Sequence, residues 1–409
     1  MAFRLSTLQK ISIARETTFG VTMSAGSFRD IPAATVEAAM TQDHLPVEIL
    51  QARANNVEKQ VVGRKTTKVT LRTHIWGAPT PLSASVTPDT NFFLPQLISM
   101  SLGGHRVAAG STVVSSVDSG SFSVTDGTLF NVGQNIATVQ SGNLFVSRIR
   151  SISTNAITLT HAFPARPSNG DTIFNAYTNF FSGSNVATMQ IRQERNTGLE
   201  TKWTGLAGNF NIEAALSTLP TLTWELQGAS WVTSTMTGSM TTSTFAHNTQ
   251  PPVFLNSKVY LYPKNTATVP ATFLPVKNIS IKSDVPFIEV GSPHGINNIQ
   301  AFVRGKARIT IELDPYDSPD AVDQSYSWQT LNTADDATTV FHLTVQIGNA
   351  AGRAFAVTFP RCQIIANDNS ETDGIVSNKL TLMAMEDPDL TPSTNGDDLA
   401  RSIMVTSIF

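Results

Sequence analysis

A single cysteine, Cys362, stands among 409 residues. One thiol excludes a disulfide framework and any cysteine-based zinc site. Charge is scarce too: Asp, Glu, Lys and Arg make up 14 % of the chain, against roughly 25 % in an average soluble domain. The 28 basic and 31 acidic residues leave a formal net charge of −3. That balance excludes a protein that grips nucleic acid through phosphate contacts, which need a basic surface. No stretch approaches the ~18 apolar residues of a membrane-spanning helix. Met1–Lys10 lacks the apolar core of a signal peptide. The expectation is a soluble intracellular product with a reduced thiol and no membrane partner.

What the chain has is Ser and Thr in place of charge, with 25 Gly and 21 Pro. That mixture suits strands joined by many turns. Alternation of polar and apolar residues is the dominant pattern. In Lys68–Trp76, Val69, Leu71, Thr73 and Ile75 share one face; in Lys306–Asp314, Ala307, Ile309, Ile311 and Leu313 do. Phe341–Ile347, Phe210–Ala214 and Leu222–Leu226 alternate likewise. Two helices are predicted. Asp89–Leu102 carries Leu94, Leu97, Ile98 and Leu102 on one stripe and stops at Gly103-Gly104. Ser318–Leu331 starts with an N-cap serine, Pro319 and Asp320.

The strand before each helix exposes a repeat. Lys306 follows Lys68 by 238 residues, whereas Val340 follows Val186 by 154 and Val376 follows Thr221 by 155. Two copies of one strand–helix–strand unit therefore lie in tandem, and the first copy is longer by about 84 residues. The excess, after Gly104, reads as six short strands: Ser111–Val117, Phe122–Thr125, Asn135–Val139, Leu144–Ser153, Ala156–Thr160 and Thr172–Tyr177. Asp126-Gly127, Ser141-Gly142 and Asn169-Gly170 supply turns, and close spacing suggests a small barrel or sandwich. Asp43–Thr67 and Asp284–Gly305 fit neither strand nor helix and are expected to be long, mobile loops at matching places in the two copies.

Chemistry is hard to find. His44, His74, His105, His161, His247, His294 and His342 are scattered, with no HExxH. There is no Walker sequence, no GxGxxG after a strand and no nucleophile elbow. The acidic cluster Glu386, Asp387, Asp389, Asp397 and Asp398 reads as a solvated turn. Cys362 reads as a small buried hydrophobe, and the five Trp as core. No catalytic residue, metal site or cofactor is assigned, and an enzyme is not expected.

The ordered set of elements resembles the tail tube (major tail) proteins of long-tailed bacteriophages of the siphovirus type, and more narrowly the kind with two tube domains duplicated in one chain. Ile11-Ser12-Ile13-Ala14-Arg15-Glu16-Thr17-Thr18-Phe19-Gly20 is similar to the opening of many tube proteins. The long segment 43–67, strand 68–76 and the helix follow in the family's order. Gly208-Asn209-Phe210-Asn211-Ile212, Pro220–Trp224 and Gly228-Ala229 look like its closing hairpin, with Val345–Phe355 as the counterpart in the second copy.

The resemblance implies a mainly β fold: two tandem tail-tube β-sandwich or barrel domains, each with a short helix and a long loop, plus an inserted small β-barrel. Residues 1–105 and 181–250 would form the first tube domain, 106–180 the outward-facing insert, and 251–409 the second. It implies a virion structural subunit, made in the bacterial host cytoplasm, whose stacked rings conduct DNA from capsid to cell. Expected partners are further copies of the chain, passing double-stranded DNA without specific binding, a tape measure protein in the lumen, and tail tip and terminator proteins. Two tube domains per chain suggest trimeric rings with pseudo-sixfold symmetry; a hexameric ring is the alternative. Expected inter-ring contacts are Glu48, Arg53, Lys59, Arg64, Lys65, Glu289, His294 and Arg304. Expected lumen-facing residues are Thr70, Asn211, Glu213, Thr223, Glu225, Thr310, Glu312, Thr344, Gln346 and Thr381. Another phage tail component, such as a tail-tip, connector or decoration β-protein, is the second reading. A carbohydrate-binding β-sandwich is the third, and it would want clustered aromatics.

Overall fold

The computed structural model describes residues 9–24, 27–32, 34–48, 57–77, 93–106, 110–175, 177–181, 186–195, 198–236, 250–255, 257–263, 274–316, 340–350, 353–372, 375–387 and 405–408. The chain is mainly β. The first half opens with β1 (Gln9–Arg15), β2 (Arg29–Asp30), β3 (Thr35–Glu48) and β4 (Val57–His74), then helix α1 (Phe93–Leu102) and β5 (Gly103–Arg106). A separate group follows: β6 (Ser111–Ser116), β7 (Ser121–Val124), β8 (Asn135–Gln140), β9 (Asn143–Ser153), β10 (Ala156–Leu159) and β11 (Thr172–Asn175). The first half resumes with β12 (Tyr177–Phe181), β13 (Met189–Arg195), β14 (Leu199–Ala215), β15 (Thr221–Gly228) and β16 (Ser230–Thr235). The second half holds β17 (Lys258–Pro263), β18 (Val276–Asp284), β19 (Phe287–Ile296), β20 (Ile299–Arg304), β21 (Arg308–Pro315), β22 (Phe341–Ile347), β23 (Phe355–Thr372), β24 (Ile375–Met385) and β25 (Val405–Ile408).

Pairing in the first half runs β3–β4–β15–β14–β13–β1. In the second half it runs β18–β21–β24–β23–β22–β17. The two orders match strand for strand, and every pair is antiparallel. A further ladder, β14 to β18, joins the halves, with Ile212 opposite Ile281. Alternation puts Leu71, Phe210, Ile212 and Trp224 of the first half and Ile281, Ile311 and Leu382 of the second into one shared core. Burying each such side chain contributes about 1.5–3 kcal/mol. Helix α1 adds Leu94, Leu97, Ile98 and Leu102. It ends at Gly103, whose φ of +92° is the left-handed stop the sequence suggests. The start expected at Asp89 and the whole expected helix 318–331 lie outside the described residues.

β6–β11 close into a barrel in the order β10–β7–β6–β11–β8–β9 around Phe122, Ile136, Ile149 and Ile157. Its six strands fall where alternation and turn pairs put them. Its borders differ from those expected. Gly103-Gly104, expected to be a loop, begins β5, which pairs with β12: Gly103 faces Phe181 and Gly104 faces Phe180. The insert therefore hangs from a strand pair, and Tyr177–Phe180 belongs to the main sheet.

The segments expected to be loops are also strands. Most of 43–67 is the distal part of the β3–β4 hairpin, with Gln42 opposite Lys65 and Leu45 opposite Val61. Residues 287–304 form the β19–β20 hairpin, with Ile288 opposite Val303. Its turn is Asn297-Asn298, with φ of 49° and 65°, the paired left-handed geometry of a type I′ hairpin. In the first segment the alternation is short, Leu45 and Val47 on one strand and Val57 and Val61 on the other; its strands exist because each supplies the other's hydrogen bonds.

Candidate functional site

The candidate site is a polar sheet face that runs across both halves. Eight strands lie side by side in the order β3–β4–β15–β14–β18–β21–β24–β23. One register row reads Thr35, Arg72, Thr223, Asn211, Lys282, Thr310, Met383 and Gln363. Next to it run His74, Thr221, Glu213, Ser280, Glu312, Thr381 and Ala366. The alternate positions are the core residues, so this face is the one turned from the core. Eight of the ten residues expected on a lumen face share it: Thr70, Asn211, Glu213, Thr223, Glu225, Thr310, Glu312 and Thr381. Arg72, Lys282 and Lys379 belong to it as well, a cationic part absent from the residues expected to face the lumen. Lys379 pairs with Glu312 at 3.2 Å, and both are about half exposed. Asn211 donates to Glu213 at 2.7 Å. The face therefore holds short neutral groups with mixed, partly paired charge.

The joint in this sheet is reinforced at one strand end. Asn209 Nδ2 donates to the carbonyl of Val285 at 3.1 Å, and its Oδ1 accepts from the Val285 amide at 2.9 Å. Ser283 Oγ accepts from the Phe210 amide at 2.9 Å and donates to its carbonyl at 3.1 Å. Gly208 is required here, because a Cβ would collide with the carbonyl of Glu225.

The edges differ. β14 is covered by β18 over Asn211–Ala215. Its counterpart in the second half, β23 beyond Gln363, pairs among the described residues only with β24. The buried Oδ1 of Asn367, on that edge, has no hydrogen-bond partner among the described residues. Among the described residues β3 likewise pairs only with β4.

Thr344 and Gln346 do not belong to the polar face. They lie on β22, fully buried, because the barrel sits on them. Gln346 Nε2 donates to the Leu144 carbonyl at 2.9 Å. Thr344 contacts Thr358, whose hydroxyl donates to Asn135 of β8 at 3.1 Å. Lys258 Nζ donates to the Leu144 carbonyl at 2.8 Å and lies over the Phe145 ring; burial brings its pKa down to about 8. His161 of the barrel stacks on Tyr260 of β17, ring centres 4.6 Å apart. Asp387 is buried, and its charge favours the ionised form of the buried Arg148 guanidinium. The solvated-turn reading is thus wrong for Asp387, whose role depends on a partner far away in sequence. Asp389, Asp397 and Asp398 lie outside the described residues.

Four of the eight residues expected to bridge rings, Arg64, Lys65, Glu289 and Arg304, are engaged within the chain. Arg64 pairs with Glu289. Lys65 lies over the Trp231 ring at 5.3 Å. Arg304 donates to the Ser101 carbonyl at 3.2 Å and lies over Phe181; burial lowers its pKa to about 10. Glu48 and Lys59 are in the distal β3–β4 hairpin, and His294 is exposed on β19. Arg53 lies outside the described residues.

A second polar centre escaped the sequence reading. Glu16 is buried, its Oε2 accepting from the Gly20 amide at 2.8 Å and the Thr188 hydroxyl at 2.6 Å, its Oε1 from the Gly205 amide at 2.7 Å. Burial pushes this carboxyl above its ordinary range, and the hydrogen bonds oppose the shift. The site pins the segment after β1 onto β14. Cys362 is buried, and desolvation holds its thiol far above the usual range, which leaves it inert. Among the described residues no group of three or more His, Cys, Asp or Glu could hold a metal, and no helix is long and apolar enough to cross a membrane. Comparison with protein families finds no family model that matches the chain, and comparison with curated proteins finds no match.

Proposed function

We propose that this chain is the structural subunit of a phage tail tube, its two halves being duplicated tube domains whose polar sheet face lines a channel for double-stranded DNA. The observation that carries the reading is the pair of unequal edges. Within one chain, the second half's first sheet strand, β18, closes the first half's open edge on β14. The second half has the same pairing order, and its equivalent edge on β23 has no further strand among the described residues. Applied again, the same joint seats β3 of another copy on β23, and repetition closes a ring. Closure removes bare edges that would otherwise template aggregation. A face of short neutral groups and partly paired charges hydrates well without holding phosphate, as a conduit requires. Three copies per ring give six tube domains. The inserted barrel, seated on the strands behind the polar face, lies on the outside of the cylinder.

The equivalence fixes a register. Ile212 stands opposite Ile281 inside the chain. Setting Phe210 equal to Ile364, as the 154-residue offset does, the matching ladders make Asn367 the counterpart of Ile212 and Val36 that of Ile281. Asn367 of one copy therefore faces Val36 of the next. Directly opposed residues have Cα atoms about 4.5–5.5 Å apart, within disulfide range. The double variant Val36→Cys with Asn367→Cys, oxidised after assembly, should give a ladder on a non-reducing gel that ends at three copies, and hollow tubes in electron micrographs. Absence of inter-chain links, or a ladder that ends at six, overturns the trimeric ring. Discrete monomers by microscopy at all concentrations overturn the tube.

A further inference from the structure

We propose that Lys258 and Asn349 form an isopeptide bond within the chain, made by the folded protein itself with release of ammonia. The site is independent of the tube reading and is tested apart from it.

Lys258 opens β17 and stands opposite Gln346 of β22. It is 7 % exposed, and a lysine is almost never buried so far unless it is paired. Lys10, Lys202 and Lys379 pair with carboxylates. The described partners of Lys258 are neutral instead: the Leu144 carbonyl at 2.8 Å, the Asn349 side-chain oxygen and the Phe145 ring. Burial is the force acting on its pKa, which falls to about 8. About a tenth of the amine therefore carries a free lone pair at pH 7.

The connection between β22 and β23 presents Asn349. Gly348 turns the chain there with φ of +86°, and a Cβ on it would collide with the Arg353 carbonyl. The Asn349 carbonyl accepts from the Leu144 amide at 3.0 Å, and Nδ2 of its side chain donates to Oδ1 of Asn143. An ammonium group can only donate, so Oδ1 of Asn349 faces Nζ. The electrophilic Cγ is bonded directly to that oxygen. Asn143 and Leu144 of the barrel thus hold both reactants, the amine through one N–H and the carboxamide through both its ends. An amine and a carboxamide fixed in contact are in a near-attack arrangement, which raises their effective concentration by orders of magnitude.

The reaction balances without an oxidant or reductant. Lys258 gives one proton to solvent. The Nζ lone pair attacks Cγ of Asn349, and the carbonyl π pair moves to Oδ1. As that pair returns, the Cγ–Nδ2 bond breaks. Nδ2 takes one of the two protons left on Nζ and departs as ammonia. The N–H that remains on Nζ keeps its acceptor in the Leu144 carbonyl. The described partners of the pair include no carboxyl to relay the proton, so the reaction is slow and accumulates over days. The product ties β17 to the β22–β23 connection at the seat of the barrel.

Its pH dependence belongs to Lys258. Gln346 of β22, Leu144 and Phe145 of β9 and Asn349 face the amine, and all are uncharged. The nearest titratable groups along the seat keep one form around neutrality, because burial raises Tyr260 to about 12 and lowers His161 to about 4.

The test uses the full chain, purified and aged for days in mild alkali. Intact mass should show a species lighter by one ammonia. Its initial rate should rise about tenfold per pH unit up to about pH 8 and then level off. Succinimide formation at the exposed Asn169-Gly170 pair loses the same mass, so protease digestion and tandem mass spectrometry decide. Wild type should yield a branched peptide with Nζ of Lys258 joined to Cγ of Asn349. Lys258→Arg and Asn349→Ala should each lack it at every pH. An aged wild-type digest in which Lys258 is wholly unmodified overturns the proposal, whether or not ammonia was lost elsewhere. That digest decides the matter even where a variant fails to fold.

Discussion

The two halves of the molecule are built in the same strand order and finished differently. In the first half, the sheet edge at β14 is closed by β18, and the segment after β1 is pinned by buried Glu16. In the second half the matching edge of β23 has no further strand among the described residues, while its back strands β17 and β22 are covered by the barrel inserted into the first half. The edge on β23 is where the proposed ring would need a second copy of the chain. The covered back teaches that the insert is more than a loop decoration: it supplies acceptors for Lys258 and Gln346, which would otherwise have to be hydrated.

The seat of the barrel is where the largest stability effect is expected. His161 is buried against Tyr260, and 6.3 Å from the His342 ring, with Tyr262 also in contact. Its Nε2 bonds the Val146 carbonyl at 2.7 Å, so that nitrogen carries the proton and the ring is neutral. Burial depresses its pKa to about 4, against an ordinary 6.5. The unfolded chain then takes up the proton first as pH falls. Stability is whole above about pH 6.5 and is lost progressively towards pH 4, by at most about 3 kcal/mol. Denaturant melts at pH 7.5 and 4.5 should show this loss, and His161→Gln should flatten it. An unchanged acid slope in that variant would assign the effect to another group.

Glu16 sharpens the comparison from the first half's side. Its two oxygens accept three hydrogen bonds from donors. Glu16→Gln must turn an N–H towards a donor, whichever way the amide lies, leaving one or two buried donors unmatched. A cost of about 1–3 kcal/mol is expected, read as a lower denaturant midpoint with unchanged slope. Because the carboxyl's pKa is raised, the wild type should lose nothing through this group as pH falls through its ordinary range. A midpoint within error of wild type would show that the segment after β1 is held by its β1–β13 ladder alone.

The duplicated strand order and all six barrel strands were legible in the sequence, because alternation and turn pairs are local signals. The faces of β4, β14, β15, β21 and β24 followed from the same alternation. Thr344 and Gln346 look like their solvent-facing neighbours and are buried only because a barrel more than 160 residues upstream sits on them. Asp387 was misread for the same reason. The β19–β20 hairpin could have been found from Asn297-Asn298 between two β-rich runs, a type I′ turn signature. The distal β3–β4 hairpin was harder to find, since its alternation is short: Leu45 and Val47 on one strand, Val57 and Val61 on the other.

The smallest expected effect tests the bare edge most directly. In the proposed ring, Ala366 of one copy takes the place that Asn211 holds within the chain, and Glu37 of the next copy takes the place of Lys282. The two would then be directly opposed on the polar face. Ala366→Glu sets like charges together and should weaken each contact by roughly 0.5–1 kcal/mol; Ala366→Lys sets opposite charges together and should strengthen it by a similar amount. Neither change should move the melting point of the isolated chain much, because Ala366 is only half-buried and its cross-strand partner on β24 is the neutral Thr381. The ring population in sedimentation velocity should therefore fall for Glu and rise for Lys, and the gap should narrow as salt screens the pair. Equal ring populations for the two variants would mean that β3 and β23 do not meet in this register, and the asymmetry between the halves would need another explanation.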